Sequence, residues 1–335
     1  MNQLITIAVT LLPLSVYALE PLPKETGTSG YLIVGAGAVS MQTNTIAGTR
    51  FNEIADSSID DLGAASSTSY GQAILSGEVK YTWAETQTQV FVGNILEDRL
   101  RYDLKQQAGI RQQISTVGLF GVSATYSGLE INVWEDPFDT SGERSDTRRI
   151  SNGYEVTWDR IFKSPFQISY ESTEVDIQDE SSGESLLSAD FTVEDQAMLD
   201  RNGRMDEIEV SVLLPLAKGH LLVPQLVYTD DQRDGEAMSN QRVGAQLTYI
   251  YKNLPWTWVT NAQYSSAEYD QVNPVFDTSQ DTVSYGFTSN LYYEEPFEMK
   301  DWKALLSIAY YEEDSDIDFY DSEVNSVNLG MMYFF

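Results

Sequence analysis

Along most of the chain apolar and polar residues alternate one for one, the two-residue repeat of β-strands whose faces meet different surroundings. From Gly71 to Trp83, the residues Ala73, Leu75, Gly77, Val79, Tyr81 and Trp83 alternate with Gln72, Ile74, Ser76, Glu78, Lys80 and Thr82. The pattern recurs at Tyr154, Val156 and Trp158 against Glu155, Thr157 and Asp159, and again from Val243 to Tyr251 and from Val283 to Tyr293. Strands of about ten residues with aromatics near the ends of their apolar face are the pattern of a membrane barrel: apolar toward lipid, polar toward the lumen. Beyond Ala18 no stretch of about 18 apolar residues exists, so a membrane crossing can only be made by a closed barrel.

The alternation predicts fourteen strands, at 30–41, 70–83, 87–97, 101–113, 117–127, 150–162, 166–176, 204–214, 219–229, 239–251, 256–265, 280–293, 302–312 and 321–335. Short connections (84–86, 114–116, 163–165, 215–218, 252–255, 294–301) alternate with longer ones (42–69, 128–149, 177–203, 230–238, 266–279, 313–320), and only 98–100 is short where a long one is due. This is the plan of an all-β, closed, antiparallel up-and-down transmembrane barrel, with short periplasmic turns, long extracellular loops and both termini in the periplasm. Pro165, Pro215, Pro255 and Pro296 fall in the short turns, where a missing backbone donor costs nothing. Pro224, inside a predicted strand, must interrupt a ladder or mark a bulge. Gln106 and Gln112 fall on a face expected to meet lipid; if the pair 87–97 and 101–113 is an excursion, the barrel has twelve strands.

The two ends carry signals of their own. Residues 1–18 hold an apolar run from Leu4 to Val16 and end Val16-Tyr17-Ala18, which reads as a cleaved signal peptide, although no Lys or Arg precedes the run. Residues 19–335 then form one barrel domain. In the last strand Val327, Leu329, Met331, Tyr333 and the terminal Phe335 share a face, a pattern that suits an assembly signal read by the outer-membrane insertion machinery.

Composition narrows the function. With 51 Asp and Glu against 20 Lys and Arg, the chain has a formal charge of -31, which excludes a nucleic-acid partner. Twenty Tyr, 13 Phe and 6 Trp are too much aromatic surface for a disordered acidic chain. The absence of Cys removes disulfides, thiolate metal sites and cysteine nucleophiles, and one His leaves little material for histidine catalysis. That His220 falls beside the 215–218 turn and reads as an interfacial polar residue, while Trp83, Trp256, Trp258 and Trp302 read as an aromatic girdle. Gly35 and Gly37 are followed by no helix and read as sites of close strand packing rather than a nucleotide loop. Asp200-Arg-Asn-Gly203 has the wrong glycine offset for a calcium loop. No catalytic residue, cofactor site or metal site is assigned, and an enzyme is not expected.

The predicted extracellular connections, counting Glu97 with 98–100, hold 30 acidic and 7 basic residues, or 23 of the 31 net negative charges. An acidic rim concentrates cations and repels anions, less so at high salt. The alternation points Glu78, Lys80, Lys105, Arg111, Glu155, Asp159, Glu171, Glu207, Glu209, Arg242 and Lys303 toward the lumen as candidate pore-lining residues.

Val133-Trp-Glu-Asp-Pro-Phe-Asp139 followed by Gly142-Glu-Arg144, the run Asp200-Arg-Asn-Gly203, Asn273-Pro-Val-Phe-Asp277 and Met331-Met-Tyr-Phe-Phe335 give the chain a resemblance to a family from marine Gram-negative bacteria known as a domain of unknown function. The resemblance implies an outer-membrane barrel and carries over no catalytic residue. The expected function is a monomeric porin-like channel for passive diffusion of small hydrophilic solutes or cations. The alternative is a non-conducting structural or adhesive surface barrel whose acidic loops bind divalent cations, lipopolysaccharide or phage. The expected partners are outer-membrane lipid, lipopolysaccharide and the barrel-assembly machinery.

Overall fold

A computed structural model describes residues 22–49, 52–96, 104–127 and 131–335. The expected signal peptide and the 98–100 connection lie outside the described residues. Fourteen long strands build the wall: β1 (Gly27–Gln42), β2 (Ser67–Trp83), β3 (Thr88–Leu96), β4 (Leu104–Ile114), β5 (Gly118–Ser127), β6 (Asp146–Asp159), β7 (Phe166–Ile177), β8 (Gly203–Val212, continued by Leu214–Ala217), β9 (His220–Arg233), β10 (Asn240–Asn253), β11 (Trp256–Tyr269), β12 (Thr282–Glu294), β13 (Trp302–Ser315) and β14 (Ser322–Phe334).

Each strand pairs antiparallel with the next, and β1 pairs with both β2 and β14, Tyr31 lying opposite Phe334 and Gln42 opposite Glu323. The sheet therefore closes on itself and leaves no edge, the only way a strand wall satisfies its backbone donors and acceptors in lipid. Strands β3 and β4 pair with β2 and β5 within the wall, so the count is fourteen and the twelve-strand alternative falls. Gln112 faces outward beside the turn and donates its Nε2 to the Thr86 carbonyl (2.8 Å), while its Oε1 accepts from Thr88 Oγ1 (2.6 Å). A polar residue on the lipid side is thus satisfied locally.

Several boundaries differ from expectation for identifiable reasons. Strand β6 spans 146–159 rather than 150–162, because Arg160, Phe162 and Lys163 take positive φ (52°, 50° and 66°) and turn the chain before Pro165. Pro215 is not in a turn; it stands in the Leu214–Ala217 continuation of β8 opposite Leu221, and a bulge follows it. Pro224 keeps its place opposite Leu247 of β10, but the ladder toward β8 is unpaired between Ser211–Gln225 and Leu214–Leu222. The missing donor of Pro224 accounts for that gap. Asp230, Asp231, Glu268 and Glu313, expected in loops, belong to the wall.

The outer face carries the apolar belt. Val34, Leu75, Val92, Val122, Val156, Leu226, Val243 and Leu329 are among its exposed members. Trp83, Trp256 and Phe166 mark its lower border at the short-turn end, together with the Trp302–Tyr333 pair (5.2 Å between rings). His220 joins this border, its Nδ1 2.6 Å from the Tyr249 hydroxyl and its ring 4.7 Å from Tyr251. Tyrosines mark the upper border, including the Tyr154–Tyr170 and Tyr264–Tyr285 pairs. Trp256 and Tyr264, Tyr293 and Tyr285, and Trp302 and Tyr310 lie at opposite borders of their strands; eight residues at ~3.4 Å each, reduced by strand tilt, give a belt about 20 Å tall.

Replacing Leu226, which is 64% exposed near the middle of β9, by Arg should destabilise the bilayer-inserted barrel by about 2–4 kcal/mol. Urea unfolding in lipid vesicles measures this, and an effect indistinguishable from that of a loop substitution would place this face away from lipid. Without heating, wild-type protein should run ahead of its boiled form on a gel.

Candidate functional site

The same alternation that turns apolar residues outward fills the lumen, and it fills it unevenly. At the short-turn end, inward side chains of β1, β2 and β9–β14 meet in an apolar cluster that includes Ile33, Val223, Ile250, Leu305 and Met332. Above it the inner faces of β12–β14 carry small polar residues with almost no exposure, such as Thr288, Asn290, Ser307 and Asn328. Gly37 of β1 leaves room for Asn328, whose Oδ1 accepts from Gln72 Nε2 (2.8 Å); a Cβ at position 37 would collide with that amide. Open space is confined mainly to the other side, along β4–β10.

The loop end is covered by a cap. Phe138, Leu199, Ile317, Phe319 and Tyr320, from three different connections, form a buried cluster, with Ile59, Phe191, Val275 and Phe276 packed against it. Phe319 lies 5.3 Å from Phe138 and 5.8 Å from Phe276, ring to ring. Polar side chains fasten the cap to itself. Arg144, 5% exposed, donates to the carbonyls of Asn44 (3.3 Å), Pro137 (3.0 Å) and Asp56, and its guanidinium lies 4.3 Å over the Trp134 ring. Burial pushes its pKa down to about 10, which leaves it charged at neutral pH. Arg201 donates to Glu180 (2.9 Å) and to the carbonyls of Trp134 (2.6 Å) and Glu135 (3.1 Å). Asn273 Nδ2 donates to the Tyr320 hydroxyl (3.0 Å). Burial, reinforced by Asp179, Asp146 and Glu184, pushes the Glu135 carboxyl up.

Beneath the cap lies a cavity of about 530 Å³, with Met238 and Tyr320 of the cap in its ceiling. Seven of the eleven candidate lumen residues line it: Lys105, Arg111, Glu155, Glu171, Glu207, Glu209 and Arg242. Glu155, Glu171 and Glu207 are register partners across β6, β7 and β8, so three carboxylates stand side by side. Lys105 pairs with Glu171 (2.6 Å). Glu155 accepts from Gln107 (2.6 Å) and Ser123 (3.3 Å), Glu207 from Thr229 (2.9 Å) and Glu209 from Ser169 (3.2 Å). Across the cavity Arg242 pairs with Glu313 (2.9 Å).

The other four candidates also face inward but do not line this cavity. Glu78 and Lys80 pair with each other at 2.6 Å. Lys303 sits near the turn end, 3.2 Å from Glu294 and 4.8 Å over the Phe334 ring. Asp159 is buried below the cavity. Sequence reasoning missed Glu313 because it was counted with a loop; extending the odd-numbered inward parity of β13 from Lys303 would have found it. It also missed the neutral donors Gln107, Ser123, Ser169 and Thr229, which share the inward parity of their strands. Val327, Leu329, Met331, Tyr333 and Phe335, the residues expected to act as an assembly signal, lie on the outward face of β14 and its end, with Leu329 63% exposed.

Residues 27–334 match the family described as protein of unknown function DUF2860, and the chain belongs to that family. No curated protein sequence matches it. Among solved structures it is similar to the outer membrane channel DcaP of Acinetobacter baumannii, with 11% identity, 92% of this chain and 98% of that one covered, and a TM-score of 0.42. It is also similar to a Pseudomonas aeruginosa FadL homologue (8% identity, 91% and 90% covered, TM-score 0.45) and to the CymD monoaromatic hydrocarbon channel (8%, 93% and 90%, 0.44). The closed antiparallel wall with its outward apolar belt is itself the architecture of an outer-membrane β-barrel.

Arg144→Ala removes one cation and leaves three cap carbonyls without their donor, a loss of about 3 kcal/mol to the cap. Limited proteolysis should cut segments 43–66 and 131–145 much faster than in wild type, while the heat-modifiable gel shift persists. Equal cleavage rates would show that the cap is held by other contacts.

Proposed function

We propose that this member of the family is a porin-like outer-membrane channel for passive diffusion of small hydrophilic solutes or cations, kept narrow by its cap and by the apolar filling of its turn end. The charged cavity inside a closed wall supports this reading. Its carboxylates and guanidinium groups would cost several kcal/mol each in a dry interior, and water in a passage relieves that cost. A barrel of fourteen strands is wide enough to hold both a partial filling and an aqueous path. A second cavity, about 850 Å³, opens at the turn end and is lined in part by Gln113, Gly118, Arg160 and Lys163. The path runs from the cap through the acidic face of β6–β8 to this basic mouth.

The exterior of the cap supports a preference for cations. Asp60, Asp61, Glu184, Asp190, Glu194, Asp316 and Asp318 are exposed around an apolar centre. Their potential concentrates cations at the mouth and fades with salt. The closed wall needs no partner to complete it, so the channel is a monomer in lipid and lipopolysaccharide, inserted through the outward face of β14. Chemistry is not part of the reading: the one histidine is on the outer face at the turn end.

One observation favours the non-conducting alternative. Gln89, Leu119 and Asp159 are each 3% exposed or less and lie between the two cavities, closing the path in this conformation. Planar-bilayer recordings decide between the two readings. The channel reading expects small, cation-selective events, and replacing Glu184, Asp190, Glu194, Asp316 and Asp318 by Asn should shift the reversal potential toward zero selectivity. Silence at every voltage would sink the channel and leave the surface-barrel reading; an unchanged reversal potential would remove the cap acids from selectivity.

A further inference from the structure

At the base of the cavity three buried acceptor atoms have no donor among the described residues. Asp159 of β6 and Gln167 of β7 are direct cross-strand partners on the inner face. They are 1% and 8% exposed, yet both carboxylate oxygens of Asp159 and the Oε1 of Gln167 lack a hydrogen-bond partner. Unpaired acceptors this deep are costly, an ionised group more than a neutral one. Gln167 lines the cavity, and so do Glu209, two register positions further along β8, and Glu155, four residues from Asp159 along β6. Among the described residues these two glutamates accept only from the neutral donors Gln107, Ser123 and Ser169. The nearest guanidinium, Arg111, lies 4.5 Å over the Phe91 ring, and no hydrogen bond joins it to Asp159.

The cavity as a whole is balanced in charge, with six Lys and Arg against six Asp and Glu in its lining, but at this corner the unpaired acceptors are complementary to a ligand that donates. We infer that Gln167, Glu155 and Glu209 in the cavity wall, with Asp159 at its floor beside Gln167, form a binding site for a small organic cation carrying primary ammonium or guanidinium groups. The carboxylates stand on β6 (Asp159 and Glu155) and β8 (Glu209), two strand spacings or ~10 Å apart across the wall, so two charged ends about 6–10 Å apart can each meet one. The spread disfavours a compact ion: among the described residues no three acidic or histidine side chains stand close enough to hold a metal. Phe91, buried and in the cavity wall, supplies apolar contact for a carbon chain between the charged ends. A volume of about 530 Å³ is within the range of small-ligand sites.

The site rests on the channel reading in one respect, that a solute reaches the lumen. Isothermal titration of the detergent-purified full-length barrel with 1,4-diaminobutane should give saturable binding with Kd between ~1 μM and ~1 mM. Asp159→Asn and Glu209→Gln should each weaken it at least tenfold, and succinate should not bind. Asp159→Asn should also raise the thermal midpoint, because it removes an unpaired buried charge; a residue needed only for folding would lower it. Absence of binding heat up to about 10 mM diamine, unchanged affinity in both variants, or equal occupancy by KCl would overturn the proposal. A protein that conducts but does not bind diamine loses the site and keeps the channel. One that binds without conducting keeps the site and loses the channel.

Discussion

The hydrogen-bonded seam between β1 and β14 is the contact on which the rest of the molecule depends. In hydrocarbon each unpaired backbone group costs several kcal/mol, so an open sheet of this length cannot reside there. The seam runs from Tyr31–Phe334 to Gln42–Glu323 without a register shift. Once it is made, every strand has two neighbours, and each side chain has one of two fates, lipid or lumen. The aromatic borders, the belt and the lumen charges all follow from that binary choice. Even the irregularity at Pro224 shows the rule, since the missing donor breaks only one of the two ladders of β9.

That binary choice is why so much of the wall was legible in the sequence. Parity alone placed Glu155 and Val156, or Lys303 and Ala304, on opposite faces, and it gave the strand number because each turn resets the parity visibly. Strand ends were harder to read, for the pattern weakens where both faces meet water: the outer thirds of β6, β9 and β13 look like loop until their partners are known. Asp231 shows the consequence. It reads as a loop acid, yet it is 2% exposed and paired with Arg233 at 2.6 Å.

The cap was not legible as a unit, and the reason is physical. Its centre joins Phe138, Leu199, Phe276 and Phe319, residues from four connections with no shared period, so no window of sequence contains the contact. What the sequence did show were unusual segments, among them Trp134 to Phe138, Arg144, Arg201 and Asn273. Their side chains are the ones that bridge connection to connection. Acidic surface around an aromatic centre is how a small globular domain is built, and the loops fold by that logic although each is too short to have a core alone.

The charge is therefore layered. The acids on the cap face water, where they cost little and act at a distance. The acids of β6–β8 face a confined lumen, where the mutual repulsion of side-by-side Glu155, Glu171 and Glu207 is offset by Lys105 on Glu171 and by neutral donors on the other two. A neutral lumen of the Asn, Ser and Thr type found along β12–β14 would fold with less strain. Three carboxylates stand in one cross-strand row, with Asp159 buried beneath them and no hydrogen-bond donor to meet it among the described residues. Such a row, with Lys105 on its central carboxylate, suits the cation passage proposed above.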